Sequence, residues 1–217
     1  MGNDMHLQRT IGILEAILDR EGSSFTGNIS LLAQSTRITT VSDGDIIVTV
    51  CPGYIATDGS AFGAARDELN KGYDVVLTAL PPVDLIKHVG SAELGVVDSF
   101  NERNFRLFAE GKMHYLAGKY SSEVGPAFAL MFNAVTGYAE DFRDNGKAIK
   151  VVQPMWVAAG AEEFNTRYAL SNSETMNAYS FDDLSQVCRL FNPKATLADL
   201  IALAEASSYE DVVARRG

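Results

Sequence analysis

Residues 72–100 read GYDVVLTALPPVDLIKHVGSAELGVVDSF, and this stretch decides the fold. It holds two apolar runs of strand length, Tyr73–Leu80 (YDVVLTAL) and Glu93–Asp98 (ELGVVD). Neither alternates apolar with polar. A strand that is apolar on both sides of its pleat is covered on both faces, as in parallel sheets flanked by helices. Pro81-Pro82 ends the first run, and a short segment, Val83–Val89, leads to the second.

Working outward, strands and helices alternate. Asp58–Lys71 reads as a helix with Phe62, Ala65 and Leu69 on its inner face and Asp58 or Ser60 as its cap. Asn101–Glu110 reads as a second helix and Lys112–Ala117 as a further strand. Upstream, Asp45–Val50 (DIIVTV) is a β-branched strand, Gln34–Asp45 a polar loop, Asn28–Ala33 a short strand, and Thr10–Arg20 an amphipathic helix. Downstream, Glu123–Thr136 (EVGPAFALMFNAVT) is a buried helix by composition, and Ile149–Val152 a last strand. The expected fold is an α/β, three-layer α/β/α sandwich with a mostly parallel, flavodoxin- or Rossmann-like sheet. Phe181–Leu190 and Thr196–Ala206 are amphipathic helical patterns, and Tyr209–Arg216 adds a third. Two domains follow: an α/β lobe over residues 4–160 and a helical C-terminal extension over residues 161–217.

The 217 residues carry 28 acidic and 18 basic side chains, a net charge of −10. Such a surface repels phosphate backbones and anionic lipid, so neither nucleic acid nor membrane insertion is expected. No apolar run reaches the length that spans a bilayer. Met1–Gln8 has no charged region leading into an apolar one, so no signal peptide is read there. Cys51 and Cys188 are too few and too far apart for a disulfide framework or a CxxC site. His6, His88 and His114 have no ligand-spaced neighbours, and no metal or cofactor is expected. GxSxG, GxxxxGK[ST] and GxGxxG are all absent.

In open parallel sheets, ligands sit beyond the carboxyl ends of the strands. That rule points to the residues after Val50, Leu80, Val97 and Ala117. Asp98 ends a buried strand, and Ser99 and Asn101 follow it. Its carboxylate is placed either to accept hydrogen bonds from ligand hydroxyls or to cap the helix starting at Asn101. Lys119 follows the next strand, where it brackets a polyol or furanose with Asp98 or pairs with that carboxylate. Tyr120 adds an aromatic face for stacking. Trp156, the sole tryptophan, reads as a buried wedge.

The order of these elements resembles the second lobe of type I solute-binding proteins. These are the receptors of ABC importers for sugars and nucleosides, related to the effector domains of LacI-type repressors. The resemblance runs through Asp4–Glu21 (DMHLQRTIGILEAILDRE), Asn28–Ala33, Val50–Lys71 (VCPGYIATDGSAFGAARDELNK), Gly72–Ala79 (GYDVVLTA), Glu93–Gly111 (ELGVVDSFNERNFRLFAEG), Tyr115–Gly137 and the hinge-like return Ile149–Met155. It covers residues 4–160. It implies a non-catalytic solute-binding lobe for a sugar or nucleoside, extracytoplasmic in its parent protein. Asp98 and Lys119 would be ligand contacts, with Ser99, Asn101 and Tyr120 secondary. Where the family offers Asn or Asp after the Tyr73–Leu80 strand, this chain has Leu80-Pro81-Pro82. The family's first lobe has no counterpart here. The implied partners are therefore that lobe, an ABC permease, or a second copy in a homodimer. Two rival readings are a ligand-sensing effector domain that couples to a protein partner through its helical tail, and a flavodoxin-like enzyme using Asp98 and Asp58 for acid–base work.

Overall fold

The strands β3 (Val75–Ala79) and β4 (Glu93–Ser99) run parallel, with Val75 opposite Glu93 and Ala79 opposite Val97. They belong to a computed structural model that describes residues 5–25, 27, 32, 34–53, 58–79, 84–119, 124–173 and 178–216. Four consecutive β4 residues, Leu94 to Val97, are buried, so both faces of the strand are covered. Gly95 is closely packed: a methyl group there would come within 2.5 Å of the Leu77 Cδ2, which would have to shift, and 3.3 Å of Tyr115 Cβ.

The sheet order is β3-β4-β5-β6, with β5 at Tyr115–Lys119 and β6 at Trp156–Ala159. The His114 amide donates to the Leu94 carbonyl at 2.8 Å, which sets the start of β5 beside the start of β4, so these strands are parallel. The Gly160 amide donates to the His114 carbonyl at 2.7 Å, setting the end of β6 beside the start of β5, so β6 is antiparallel. The helix α1 (Met5–Arg20) packs on β3 and β4. The helix α2 (Gly59–Leu69) leads into β3, and α3 (Glu102–Ala109) connects β4 to β5. This is an α/β sandwich on a mostly parallel sheet, as the apolar runs predict.

Several elements differ from the sequence reading. The span predicted as a loop, Gln34–Asp45, contains a strand, β1 (Thr39–Asp43). It pairs antiparallel with β2 (Ile46–Val50), from Thr39 opposite Val50 to Asp43 opposite Ile46, in a separate two-stranded sheet. A two-residue turn joins them, with Gly44 at φ 57°, a conformation glycine adopts without penalty. The DIIVTV strand is thus half of a hairpin, not a parallel strand, and Val50 ends no strand of the main sheet. Ile149–Val152 is not a strand; the chain first re-enters the sheet at Trp156. The predicted strand Asn28–Ala33 lies outside the described residues except at Leu32, which is helical and fully buried. A further helix, α5 (Gly160–Ser171), was not anticipated.

The chain divides into two compact units, Met1–Ala117 with Ala158–Ala161, and Gly118–Val157 with Glu162–Gly217. In the first, α1 and the hairpin enclose Ile11, Phe25, Leu32 and Val50. The second contains α4 (Gly125–Asn133), α6 (Phe181–Gln186), α7 (Leu197–Glu205) and α8 (Tyr209–Arg216). Its core is Ala129, Phe142, Val187, Cys188, Ala195 and Leu200. Asn133, fully buried, satisfies both ends of its amide: Nδ2 donates to the Val187 carbonyl at 2.9 Å and Oδ1 accepts from the Arg189 amide at 2.8 Å. Trp156 is the buried wedge expected, its Nε1 donating to the Ser207 carbonyl at 3.0 Å and its ring meeting Tyr209 edge-on. The prediction that α4 is buried throughout fails. It buries its small residues, Gly125, Pro126 and Ala129, together with Asn133, and turns Phe128 and Met131 outward.

The C-terminal helix is tied down by charge. Arg216 of α8 donates to the Asp183 carboxylate in α6, while Arg215 Nη2 donates to the Ala178 carbonyl at 2.9 Å. Ser180 caps α6, and Asp183, the third residue of its first turn, accepts in return from the Ser180 amide at 2.8 Å. Burial pushes the Asp183 carboxyl upward, but the bonds from Ser180 and Arg216 outweigh it and hold the group below its ordinary value. A carboxyl depressed in the folded state contributes stability above its unfolded value, and that contribution is lost as pH falls through the folded one. Arg216→Gln is therefore expected to destabilise the chain by about 1–3 kcal/mol at neutral pH. The same variant should lose less further stability on acidification below pH ~4 than the wild type does. Urea melts at stepped pH measure both, and parallel acid profiles for the two proteins would contradict the assignment.

Candidate functional site

The site grows from the end of β4. The run Leu94–Val97 is buried on both faces, so the first polar side chain after it, at the carboxyl end of the strand, is Asp98, followed by Ser99. The next helix, α3, begins at once. Its cap is Asn101, whose side-chain oxygen accepts from the Asn104 amide at 3.0 Å. The cap reading of Asp98 is thereby corrected, since Asn101 lies at the position from which the first turn's free N–H groups are reached.

Asp98 instead gathers side chains. Its Oδ2 accepts from Asn104 Nδ2 at 2.9 Å, from Arg103 Nη2 at 3.2 Å and, at the outer limit, from Asn101 Nδ2 at 3.5 Å. Its Oδ1 receives the Ser99 hydroxyl at 3.3 Å. The Asp98 side chain is 11% exposed, against 55% for Arg103. Asn104 is fully buried, and its Nδ2 also donates to the Ser99 carbonyl at 2.7 Å. Among the described residues, the Asn104 Oδ1 is buried without a hydrogen-bond partner. The carboxylate therefore joins the strand end to the first turn of α3. One oxygen is fully used and the other keeps acceptor capacity.

Of the five residues singled out from sequence, the structure brings together Asp98, Ser99 and Asn101. Lys119 is the last residue of β5, one place inside the strand and not beyond it. Tyr120 lies outside the described residues. Sequence reasoning passed over Arg103 and Asn104, which hold the carboxylate; their i+5 and i+6 spacing from Asp98 carries no motif, because a strand-to-helix corner sets it.

A second polar cluster joins α2 to β3. Glu68, buried, receives Lys71 Nζ and the Tyr73 hydroxyl, both at 2.6 Å. These two bonds hold the Glu68 carboxyl below its ordinary value. Burial, reinforced by the Glu68 charge, pushes the Cys51 thiol up, which disfavours the thiolate. Burial likewise raises Cys188. Both cysteines are free. Asp58 caps α2, accepting from the Ser60 amide at 2.9 Å, the Ser60 hydroxyl at 2.6 Å and the Ala61 amide at 3.2 Å. The Ser60 hydroxyl, then the Ala61 and Ser60 amides, lower its carboxyl. His114 Nδ1 accepts from the Leu94 amide at 3.1 Å, a bond within the sheet. Among the described residues no group of His, Cys, Asp and Glu is arranged to hold a metal ion, and no helix is long and apolar enough to cross a membrane.

No protein-family model, curated protein or solved structure matches this chain. The Asp98 geometry makes its own prediction. Asp98→Ala leaves the buried Asn104 amide short of an acceptor and is expected to cost about 1–3 kcal/mol in chemical denaturation. A variant as stable as the wild type would mean that the carboxylate is not the tie between β4 and α3.

Proposed function

We propose that the chain is a non-catalytic receptor lobe for a small polar ligand, a sugar or a nucleoside, belonging to an uptake system of the ABC type. The observation that carries this reading is the Asp98 carboxylate at the carboxyl end of a doubly buried strand. Its Oδ2 is pinned by Arg103 and Asn104 while, among the described residues, its Oδ1 accepts from the Ser99 hydroxyl at 3.3 Å. A carboxylate immobilised through one oxygen, with acceptor capacity left on the other, is pre-organised to accept from a ligand hydroxyl, since its orientation is settled before the ligand arrives. The strand-end position agrees with where open α/β sheets bind ligands. The resemblance to type I solute-binding lobes supports the ligand class and adds Lys119 and Tyr120 as further contacts.

In this reading a second lobe supplies the other half of the contacts and closes the site to water. The chain alone therefore binds weakly. Titrating labelled protein with monosaccharides and nucleosides by NMR is expected to give fast-exchange shifts at the Asp98, Ser99 and Asn101 amides, with Kd of about a millimolar. Asp98→Asn should abolish them while the far-UV CD spectrum stays unchanged. No shift at these amides with any member of the panel, or shifts that survive Asp98→Asn, would refute the proposal.

A further inference from the structure

The helix α4 is turned inside out in composition. Its buried face holds Gly125, Pro126, Ala129 and Asn133, and the opposite face shows Phe128 and Met131 to solvent, continued by Val124 just before the helix and Val135 in the π-helical turn that follows it. Phe128 is 52% exposed and Val135 76%. From Phe128 an aromatic chain continues through Phe132 to Phe191 and Phe181, with ring centroids 6.4, 5.5 and 5.7 Å apart in turn. Phe181, 71% exposed, Leu190 and Phe191 enlarge the apolar patch. No charged residue occurs from Val124 to Ala139. At roughly 150–250 Å² for a whole large side chain, the exposed fractions amount to on the order of 700 Å². That exceeds the largest apolar patch of an ordinary monomer, about 300–600 Å², and approaches the roughly 800 Å² that each partner contributes to a standard interface.

The arrangement of the stripe says what fits on it. Val124, Phe128, Met131 and Val135 are spaced four, three and four residues apart. Both the spacing and the sizes read the same in reverse, small–large–large–small. A helix of the same sequence laid antiparallel across it sets Val124 against the partner's Val135 and Phe128 against the partner's Met131. A two-fold interface requires this self-complementarity, in which each residue meets the counterpart of the residue that meets its own copy. Charge points the same way. Copies of a chain with net charge −10 repel one another over most of their surface, and the stripe from Val124 to Val135 carries no charge to oppose contact. We infer that the chain forms a two-fold homodimer in which the Val124–Val135 stripes of two copies pack antiparallel, with Phe181, Leu190 and Phe191 extending the contact. The inference stands apart from the receptor reading and holds whatever ligand the chain takes.

Sedimentation equilibrium of the full chain from low to high micromolar concentration is expected to give a monomer–dimer equilibrium. Phe128→Lys and Met131→Glu each bury an unpaired charge at the seam, and each alone should weaken the dimer at least about a hundredfold. Mixed in equal amounts, the two variants should regain it, because antiparallel pairing sets the new lysine against the partner's new glutamate. Both positions face solvent in one copy, so the far-UV CD spectra should match the wild type. A wild-type mass that stays monomeric over the whole range would overturn the inference, as would a wild-type dimer that survives either substitution. A mixture that remains monomeric would overturn the antiparallel pairing.

Discussion

A strand buried on both faces has only its ends at which to present polar chemistry. That constraint, set by Leu94, Gly95, Val96 and Val97, organises the first unit. Helices must cover both sides of β4, which makes the sheet an inner layer. Gly95 leaves room where Leu77 and Tyr115 close in from the neighbouring strands. Asp98 is the first polar side chain after the buried run, and it stands where the backbone turns into α3. A carboxylate in so little solvent needs donors, and the turn provides them in Asn104 and Arg103. The tie between strand and helix and the candidate ligand contact are thus one group seen from its two oxygens.

Much of this was legible in the sequence for one physical reason: continuous apolar runs bounded by proline or polar residues have few folded solutions. β3, β4, α2, α3 and the C-terminal helices follow from such runs and from their caps. The Asp58 cap and the Ser180 and Thr196 capping boxes are local in sequence, and a local pattern survives tertiary context. The position of Asp98 at a strand end is legible too. Its partners are not, since a corner of the backbone, with no periodicity of its own, determines which of the next six residues turn back.

The misreadings share a cause. β1 is polar (TTVSD), and only its pairing with β2, including the Thr40–Thr49 hydroxyl contact at 2.9 Å, makes it a strand. Cross-strand pairs of this kind are invisible one strand at a time. β2 has the composition of a core strand but sits in a hairpin, joined to β1 by a two-residue turn at Gly44-Asp45. In α4, apolar residues lie all around the helix, so hydrophobic patterning could not say which side is inside; the side with Gly125, Pro126 and Ala129 is, and at Gly125 the Tyr179 ring comes close.

The claim on which the rest stands is that β4 is the fully covered centre of its unit and Asp98 its polar end. Native-state amide hydrogen exchange tests it most directly. The amides of Val96, Val97 and Leu116, all nearly or fully buried, should exchange only through global unfolding and be the slowest in the first unit, far slower than those of the β1–β2 hairpin. Exchange at these three amides as fast as in the hairpin would mean that no closed central strand exists to hold Asp98 in place.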